Sequence, residues 1–132
     1  MFTLNLPLFI YTTKSKTKKT KYILNLNNYR NAHFRKNALA KVMYKEEVSK
    51  LLHDKKIDLG KPPYKFTYTL YPKTRRRTDV SNPLSIIDKF TCDALVELGV
   101  IPDDSYEYIN EVVYKIGHVD KENPRAELVI GM

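Results

Sequence analysis

Alternating apolar and polar positions predict four strands in this chain. The first covers Phe2 to Leu8, and Pro7 indicates either a sheet edge or a position near the strand's end, because proline has no backbone N–H to offer a neighbouring strand. The second runs from Tyr64 to Tyr71, where the alternation is unbroken. Near the C-terminus the pattern predicts a long strand from Tyr106 to Ile116 and, after a turn, a closing strand from Ala126 to Ile130.

Apolar residues at helical spacing predict two helices between these strands. One extends from Arg35 to His53, with lysines at positions outside the apolar stripe. In the other, Asn82 is the expected N-cap, Pro83 the first helical residue and Gly99 the stop. The polar face predicted for this second helix consists of Ser85, Asp88, Lys89 and Asp93.

The resulting order of strand, helix, strand, helix, strand, strand predicts an α+β fold, with two helices packed on a small mixed or antiparallel sheet. A chain of 132 residues has material for one core, so residues 1–132 are expected to form a single domain. No apolar run approaches the roughly 20 residues of a membrane span, which predicts no membrane partner. The lysines follow the N-terminal apolar run, unlike a secretory signal, and the single Cys92 excludes an internal disulfide or multi-cysteine zinc site. These features favour the cytoplasm.

A formal net charge of +8 predicts a polyanionic partner, because a cationic surface releases counterions from nucleic acid when it binds. The segment 14–21 contains almost only lysine, threonine and serine, and we expect a flexible basic loop there. Such a charge run is either a solvated surface or an arm that contacts phosphates. The candidate DNA-binding residues are Lys14, Lys16, Lys18, Lys19, Lys21, Arg30, Arg35, Arg75, Arg76 and Arg77.

Three aspartates flank the second predicted helix and are candidate metal ligands: Asp79 before it, Asp103 and Asp104 after it. Carboxylates that hold Mg²⁺ or Mn²⁺, assisted by a lysine or arginine, provide the charge neutralisation and activated water that phosphodiester hydrolysis needs. If the helix packs antiparallel to its flanking strands, its two ends lie far apart, and a turn of the chain or a partner subunit has to bring these aspartates together. Alternatively, Asp79 is a cap or turn residue and Pro102 to Ser105 is an ordinary turn.

The sequence resembles the RusA-type Holliday junction resolvases, which are phage-encoded endodeoxyribonucleases. The resemblance lies in the segment 27–33, the arginine run entering Asp79-x-x-Asn82, Asp93-Ala94-Leu95, Gly99-Val100-Ile101 and Asp103-Asp104-Ser105. It implies a homodimer that binds a four-way DNA junction in the cytoplasm of a bacterial host and cuts two strands symmetrically. Such cutting serves recombination, repair or phage DNA processing. The resemblance also implies a divalent cation, Mg²⁺ or Mn²⁺, as cofactor.

The resemblance assigns roles to individual residues. The family's first aspartate corresponds to Asp79 and its last catalytic aspartate to Asp104, with Asp103 as an additional candidate metal ligand. The family's catalytic lysine corresponds to Lys89, which has the family's offset from the Asp-Ala-Leu segment but comes four residues late when measured from Asn82. One extra helical turn between Asn82 and Lys89 explains this difference.

Ser81 is the main departure from the family, which has a second aspartate at this position. Serine is neutral and a poor replacement for a metal-binding carboxylate. Asp88 lies seven residues further on, roughly 10 Å along nearly the same helical face, so we hypothesise that it supplies the missing charge as a metal ligand. The alternative is a non-catalytic DNA-binding protein of the same fold. An RNA-binding module has less support, because the chain lacks glycine-rich or aromatic RNA motifs.

Overall fold

The computed structural model describes residues 1–13, 19–77 and 79–131, which form three helices and six strands. The predicted α+β class is confirmed, and the elements share one hydrophobic core. Within these ranges no helix is long and apolar enough to cross a membrane. In chain order the elements are β1 (Phe2–Leu6), β2 (Phe9–Tyr11), β3 (Lys21–Ile23), α1 (Leu26–Asn31), α2 (Phe34–Leu52), β4 (Tyr64–Tyr71), α3 (Ser81–Glu97), β5 (Ile109–Ile116) and β6 (Arg125–Gly131).

The main sheet has the strand order β1-β6-β4-β5 and contains both orientations. β4 pairs antiparallel with β6 and parallel with β5, and α3 is the crossover that a parallel pair requires. β1 ends at Leu6, directly before Pro7 and shorter than predicted, and it lies at the edge of the sheet beside β6; both agree with the positions allowed by Pro7. β2 and β3 form a separate antiparallel hairpin.

The core lies between one face of the main sheet and the inner faces of α2 and α3. Along β4 every second side chain, from Tyr64 to Leu70, is buried, as expected for a sheet that helices cover on one face. Tyr44 of α2 meets α3 through an edge-to-face contact with Phe90 at 5.8 Å and a hydrogen bond of 2.6 Å with Thr91. The predicted apolar stripe of α2 is confirmed, and its buried residues are Ala40, Tyr44 and Val48.

The hydrophobic pattern does not predict β2, β3 or α1. Each of the two strands has only three residues, too few for an alternating pattern, and α1 is mostly polar. The start of α1 does carry a sequence signal, since the Asn25 side chain caps it by accepting the Asn28 N–H at 2.7 Å. β5 begins at Ile109, later than predicted, because the Ser105 carbonyl accepts the Tyr108 N–H in a turn.

The predicted start of α3 is wrong. Asn82 is not the N-cap, because the helix already begins at Ser81 and the Asn82 side-chain oxygen accepts the Leu26 N–H of α1 at 3.0 Å. Asp79 satisfies one of the first N–H groups instead: its Oδ1 accepts the Ser81 N–H at 3.1 Å. Pro83 therefore lies third in the helix, still within the first turn, where its missing N–H costs nothing.

The predicted end of α3 is confirmed at Gly99. This glycine has a φ of +77°, a conformation that residues with a Cβ rarely adopt. The Val100 N–H bonds to the Leu95 carbonyl at 2.9 Å, and the Gly99 N–H bonds to the Val96 carbonyl at 3.1 Å. These two bonds are those of a Schellman ending, which satisfies the last carbonyls of the helix.

Candidate functional site

Asp88, in the middle of α3, accepts hydrogen bonds from three side chains. The Tyr68 hydroxyl donates to Oδ1 at 2.8 Å and the Tyr114 hydroxyl donates to Oδ2 at 2.8 Å. The Cys92 thiol, one helical turn along α3, donates to Oδ1 at 3.3 Å. Both oxygens of this half-buried carboxylate are therefore held in place by the sheet.

The parallel pairing of β4 and β5 explains this convergence on Asp88. Tyr68 and Tyr114 are register partners, so their side chains leave the sheet on the same face, and their rings meet edge to face at 5.9 Å. α3 packs over that face and presents Asp88 to both hydroxyls. Within the polar face predicted for α3, Asp88 is half-buried and turned toward the sheet, whereas Lys89 beside it is exposed.

The three donors keep their protons because of this environment. Burial is the largest cause that raises the pKa of Tyr68, followed by the neighbouring Cys92 and Asp88. Burial and then the charge of Asp88 raise the pKa of Tyr114, and the same two causes raise the pKa of Cys92. Cys92 is thus a neutral hydrogen-bond donor to the carboxylate rather than a reactive thiolate.

Asp88 opens onto a pocket of about 200 Å³, called the Asp88 pocket below. Its lining consists of Asp88, Lys89, Cys92, Asp104, Ile109 and Val112. Asp104 arrives from the loop between α3 and β5, and this loop brings it back alongside the middle of the helix. The structure therefore places three of the predicted site residues, Asp88, Lys89 and Asp104, around one pocket.

Asp79 lines a different cavity, of about 490 Å³, together with Arg76, Arg77 and Asn82. Its Oδ1 accepts the hydroxyl of Ser81 at 2.9 Å as well as the Ser81 N–H. Asp79 precedes α3, whose first residue, Ser81, is seven positions before Asp88, a rise of roughly 10 Å along the helix. The structure does not place Asp79 in the Asp88 pocket.

Asp103 has the geometry of a turn residue. Its Oδ1 accepts the backbone N–H of Asp104 at 2.9 Å, and its side chain is exposed. This bond fixes the turn that leads Asp104 to the Asp88 pocket.

The oxygen donors of the Asp88 pocket suit a hard divalent cation. Over the described ranges, no group of three or more histidine, cysteine, aspartate or glutamate side chains is arranged to hold a metal ion. Mg²⁺ retains several waters and is commonly bound through only one or two carboxylates, which Asp88 and Asp104 provide. The chemistry of this pair therefore fits magnesium or manganese and does not fit soft metals.

The arginine run follows β4 and is exposed. Arg75, Arg76 and Arg77 line a cavity of about 350 Å³ together with Ile116 and Val119. This cavity lies at the carboxyl ends of the two parallel strands, β4 and β5.

The other predicted DNA-binding residues lie nearer the N-terminus. Lys21 belongs to β3 rather than to a loop, with its ammonium 4.0 Å from the centre of the Phe9 ring, and Lys19 lies 5.1 Å from the Tyr11 ring. Arg30 is exposed on α1, and Arg35 is exposed in the first turn of α2. The remaining three residues lie outside the described part of the chain: Lys14, Lys16 and Lys18.

Comparison with models of protein families finds no family that matches this sequence, and comparison with curated proteins finds no matching protein. The similarity to RusA-type resolvases thus rests on the residues quoted above. The side chains that sequence reasoning missed are Tyr68 and Tyr114. The alternating pattern indicates only that each tyrosine shares a strand face with other buried residues. A sequence does not show which strands pair in parallel, so it does not reveal that the two tyrosines lie side by side.

Proposed function

We propose that this protein is a divalent-metal-dependent endodeoxyribonuclease that cuts branched DNA, such as a four-way junction, as a homodimer in the bacterial cytoplasm. One observation carries the proposal: Asp88, Lys89 and Asp104 line a single pocket. Two carboxylates and an ammonium at one place are the groups that phosphodiester hydrolysis requires. The resemblance to junction resolvases, together with the net charge of +8, gives the substrate class.

In this proposal each residue of the pocket has its own role. Asp88 and Asp104 hold the cation, which, when bound, supplies charge neutralisation and an activated water. The ammonium of Lys89 stabilises the negative charge that develops on the phosphate. Tyr68 and Tyr114 orient Asp88, because each oxygen of this carboxylate accepts one of their hydroxyls.

The arginine run holds the DNA backbone beside this pocket. Arg76 and Arg77 line the same cavity as Asp79 and Asn82, and the start of α3 at Ser81 lies roughly 10 Å along the helix axis from Asp88. Because phosphates of one DNA strand rise by about 3.4 Å each, this distance corresponds to about three nucleotides. A strand that contacts the arginines is therefore long enough to reach Lys89 within a few nucleotides.

The test is cleavage of a synthetic four-way junction with Mg²⁺ or Mn²⁺. We expect paired symmetric nicks from the wild type and a loss of about 100-fold or more in Asp104→Asn and Asp88→Asn, since a metal ion contributes several kcal/mol to such a reaction. Asp93→Asn is the matched control, because Asp93 lies on α3 but pairs with Lys41 at 3.6 Å, away from the pocket. Equal activity of Asp104→Asn and the control contradicts the proposal.

A second candidate function is a DNA-binding protein without cleavage activity. It is favoured by the Ser81 hydroxyl, which occupies the position of a family carboxylate and donates to Asp79 at 2.9 Å. Calorimetry with Mg²⁺ and Mn²⁺ separates the two candidates, with Asp79→Asn as a control that is expected to keep metal binding because Asp79 does not line the Asp88 pocket. Binding of DNA without metal binding or cutting supports the second candidate.

A further inference from the structure

We infer that the surface joining β3, α1 and the start of α3 extends the DNA contacts of the arginine run and binds the phosphodiester backbone of one strand. Two adjoining cavities form it, of about 390 and 490 Å³, and they share Asn25 and Asn27. Lys21 and Asn31 line one end, and Lys73 and Arg77 line the other. This surface is called the asparagine groove below. The inference rests on the nucleic-acid substrate of the proposed function. It adds to the DNA-binding surface residues that are not part of the arginine run, such as Lys21 and Asn31.

The chemistry of the asparagine groove suits phosphate oxygens. Amide and cationic side chains donate hydrogen bonds, and these two groups make up nearly all the polar lining. Asp79 is the only carboxylate among the described lining residues, and its Oδ1 already accepts two hydrogen bonds from Ser81. A phosphate thus meets donors along the groove and only one negative charge.

In the part of the chain that the structure describes, carboxylates do not neutralise the lysines of the asparagine groove or Arg77. Outside the groove, several cations are neutralised by carboxylates: Lys41 by Asp93, Lys45 by Glu97, Lys50 by Glu47, Lys65 by Glu111 and Arg125 by Asp120. Within the described residues, no carboxylate lies within ion-pair distance of Lys21, Lys73 or Arg77. The groove therefore keeps a positive charge that is available to an anionic strand.

The groove is also held in shape before any ligand binds. The Asn28 side-chain amide donates to the Ile23 carbonyl at 2.8 Å, which ties α1 to β3. The Asn82 side chain ties α1 to α3 through the Leu26 N–H. Asn27 and Asn31 remain exposed, so their amides are available to a strand without rearrangement of the backbone.

The test is fluorescence anisotropy of a labelled four-way junction with full-length protein and no divalent metal, at several salt concentrations. Asn27→Asp with Asn31→Asp places two carboxylates in the groove at nearly unchanged size. We expect binding to weaken at least about tenfold at 0.1 M salt, where charges about 10 Å apart still interact. The matched control is Asn5→Asp with Asn110→Asp, a pair of exposed asparagines that do not line the groove, and we expect a change within about twofold.

A second variant measures the contacts directly. Lys21→Ala with Lys73→Ala is expected to reduce the slope of log K against log salt by about 1.8, since each phosphate contact contributes about 0.9. Circular dichroism verifies that all variants fold. Groove variants that bind as tightly as the control, or a wild type that binds no DNA, overturn the inference. Cleavage is assayed in parallel, so that the DNA-binding groove and the proposed nuclease function are tested separately. If the groove variants bind DNA more weakly but the wild type does not cut, the groove is supported and the nuclease function is refuted.

Discussion

Removal of the Tyr68 hydroxyl tests whether the half-buried Asp88 carboxylate accepts its hydrogen bond as a charged group. Tyr68 is 0% exposed, and its hydroxyl donates to the Asp88 carboxylate at 2.8 Å. A hydrogen bond to a charged group contributes about 1.5–3 kcal/mol, and Tyr68→Phe removes only one oxygen, so the cavity left behind is small. We therefore expect Tyr68→Phe to lower the free energy of unfolding by about 2 kcal/mol.

Two other tyrosine-to-phenylalanine variants provide comparisons for the decrease in the free energy of unfolding expected for Tyr68→Phe. Tyr22 donates its hydroxyl to the neutral Asn37 Oδ1 at 2.6 Å, so Tyr22→Phe is expected to cost only about 1 kcal/mol. Tyr114 is half-buried, and water entering the Asp88 pocket can replace its hydroxyl. Tyr114→Phe should consequently destabilise the protein less than Tyr68→Phe does.

Urea denaturation at pH 7 measures these differences, with an unchanged slope m showing that only stability has changed. A double-mutant cycle of Tyr68→Phe with Asp88→Asn is expected to give a coupling energy of at least about 1 kcal/mol, because the two groups are in direct contact. If Tyr68→Phe lowers the free energy of unfolding by no more than Tyr22→Phe does, or if the double-mutant cycle shows no coupling, the Asp88 carboxylate is not a charged hydrogen-bond acceptor for Tyr68.

Three further predictions concern alkaline pH and two glycines. Burial raises the pKa of four groups, so at alkaline pH the folded chain keeps protons at these groups that the unfolded chain loses. The stabilisation that these groups provide is complete below about pH 9. Above this pH, the free energy of unfolding falls by about 1.4 kcal/mol per pH unit for each group that is deprotonated in the unfolded chain and still protonated in the folded one. Thermal melts from pH 7 to 11 measure this decline. The four groups are Tyr44, Tyr68, Cys92 and Tyr114. In urea denaturation, Gly99→Ala is expected to cost about 1 kcal/mol because its φ is +77°. Gly117→Ala is expected to cost about 1–3 kcal/mol because the new Cβ would lie 2.5 Å from the Tyr71 ring.

The sequence predicts those parts of the fold that repeat a pattern over many residues. β4 has the predicted bounds, and α2 agrees within a residue at each end, because eight alternating positions and five helical turns leave little ambiguity. β2, β3 and α1 are too short for periodicity and are held by contacts distant in sequence, such as the bond from the Leu26 N–H to Asn82. Local pattern alone cannot reveal such elements.

The candidate site is predictable only in part, for the same reason. Asp88, Lys89 and Asp104 are identifiable as residue types that suit the chemistry, but their meeting depends on how the loop after α3 returns along the helix. The contributions of Tyr68 and Tyr114 depend on the register of two parallel strands, with α3 and its flanking loops between them in the chain. Their alternating pattern is that of any buried strand residue.

On the proposed function, a single displacement along α3 explains both departures from the resolvase pattern. Ser81 stands where the family has an aspartate. Its hydroxyl and its N–H both donate hydrogen bonds to Asp79 Oδ1 just before the helix begins. Lys89 comes one helical turn late when measured from Asn82, and Asp88 precedes it directly. A cation site moved toward the middle of the helix needs a carboxylate and a lysine there, as well as Asp104 opposite them. The Asp88 pocket contains these three groups, as the proposed displacement requires.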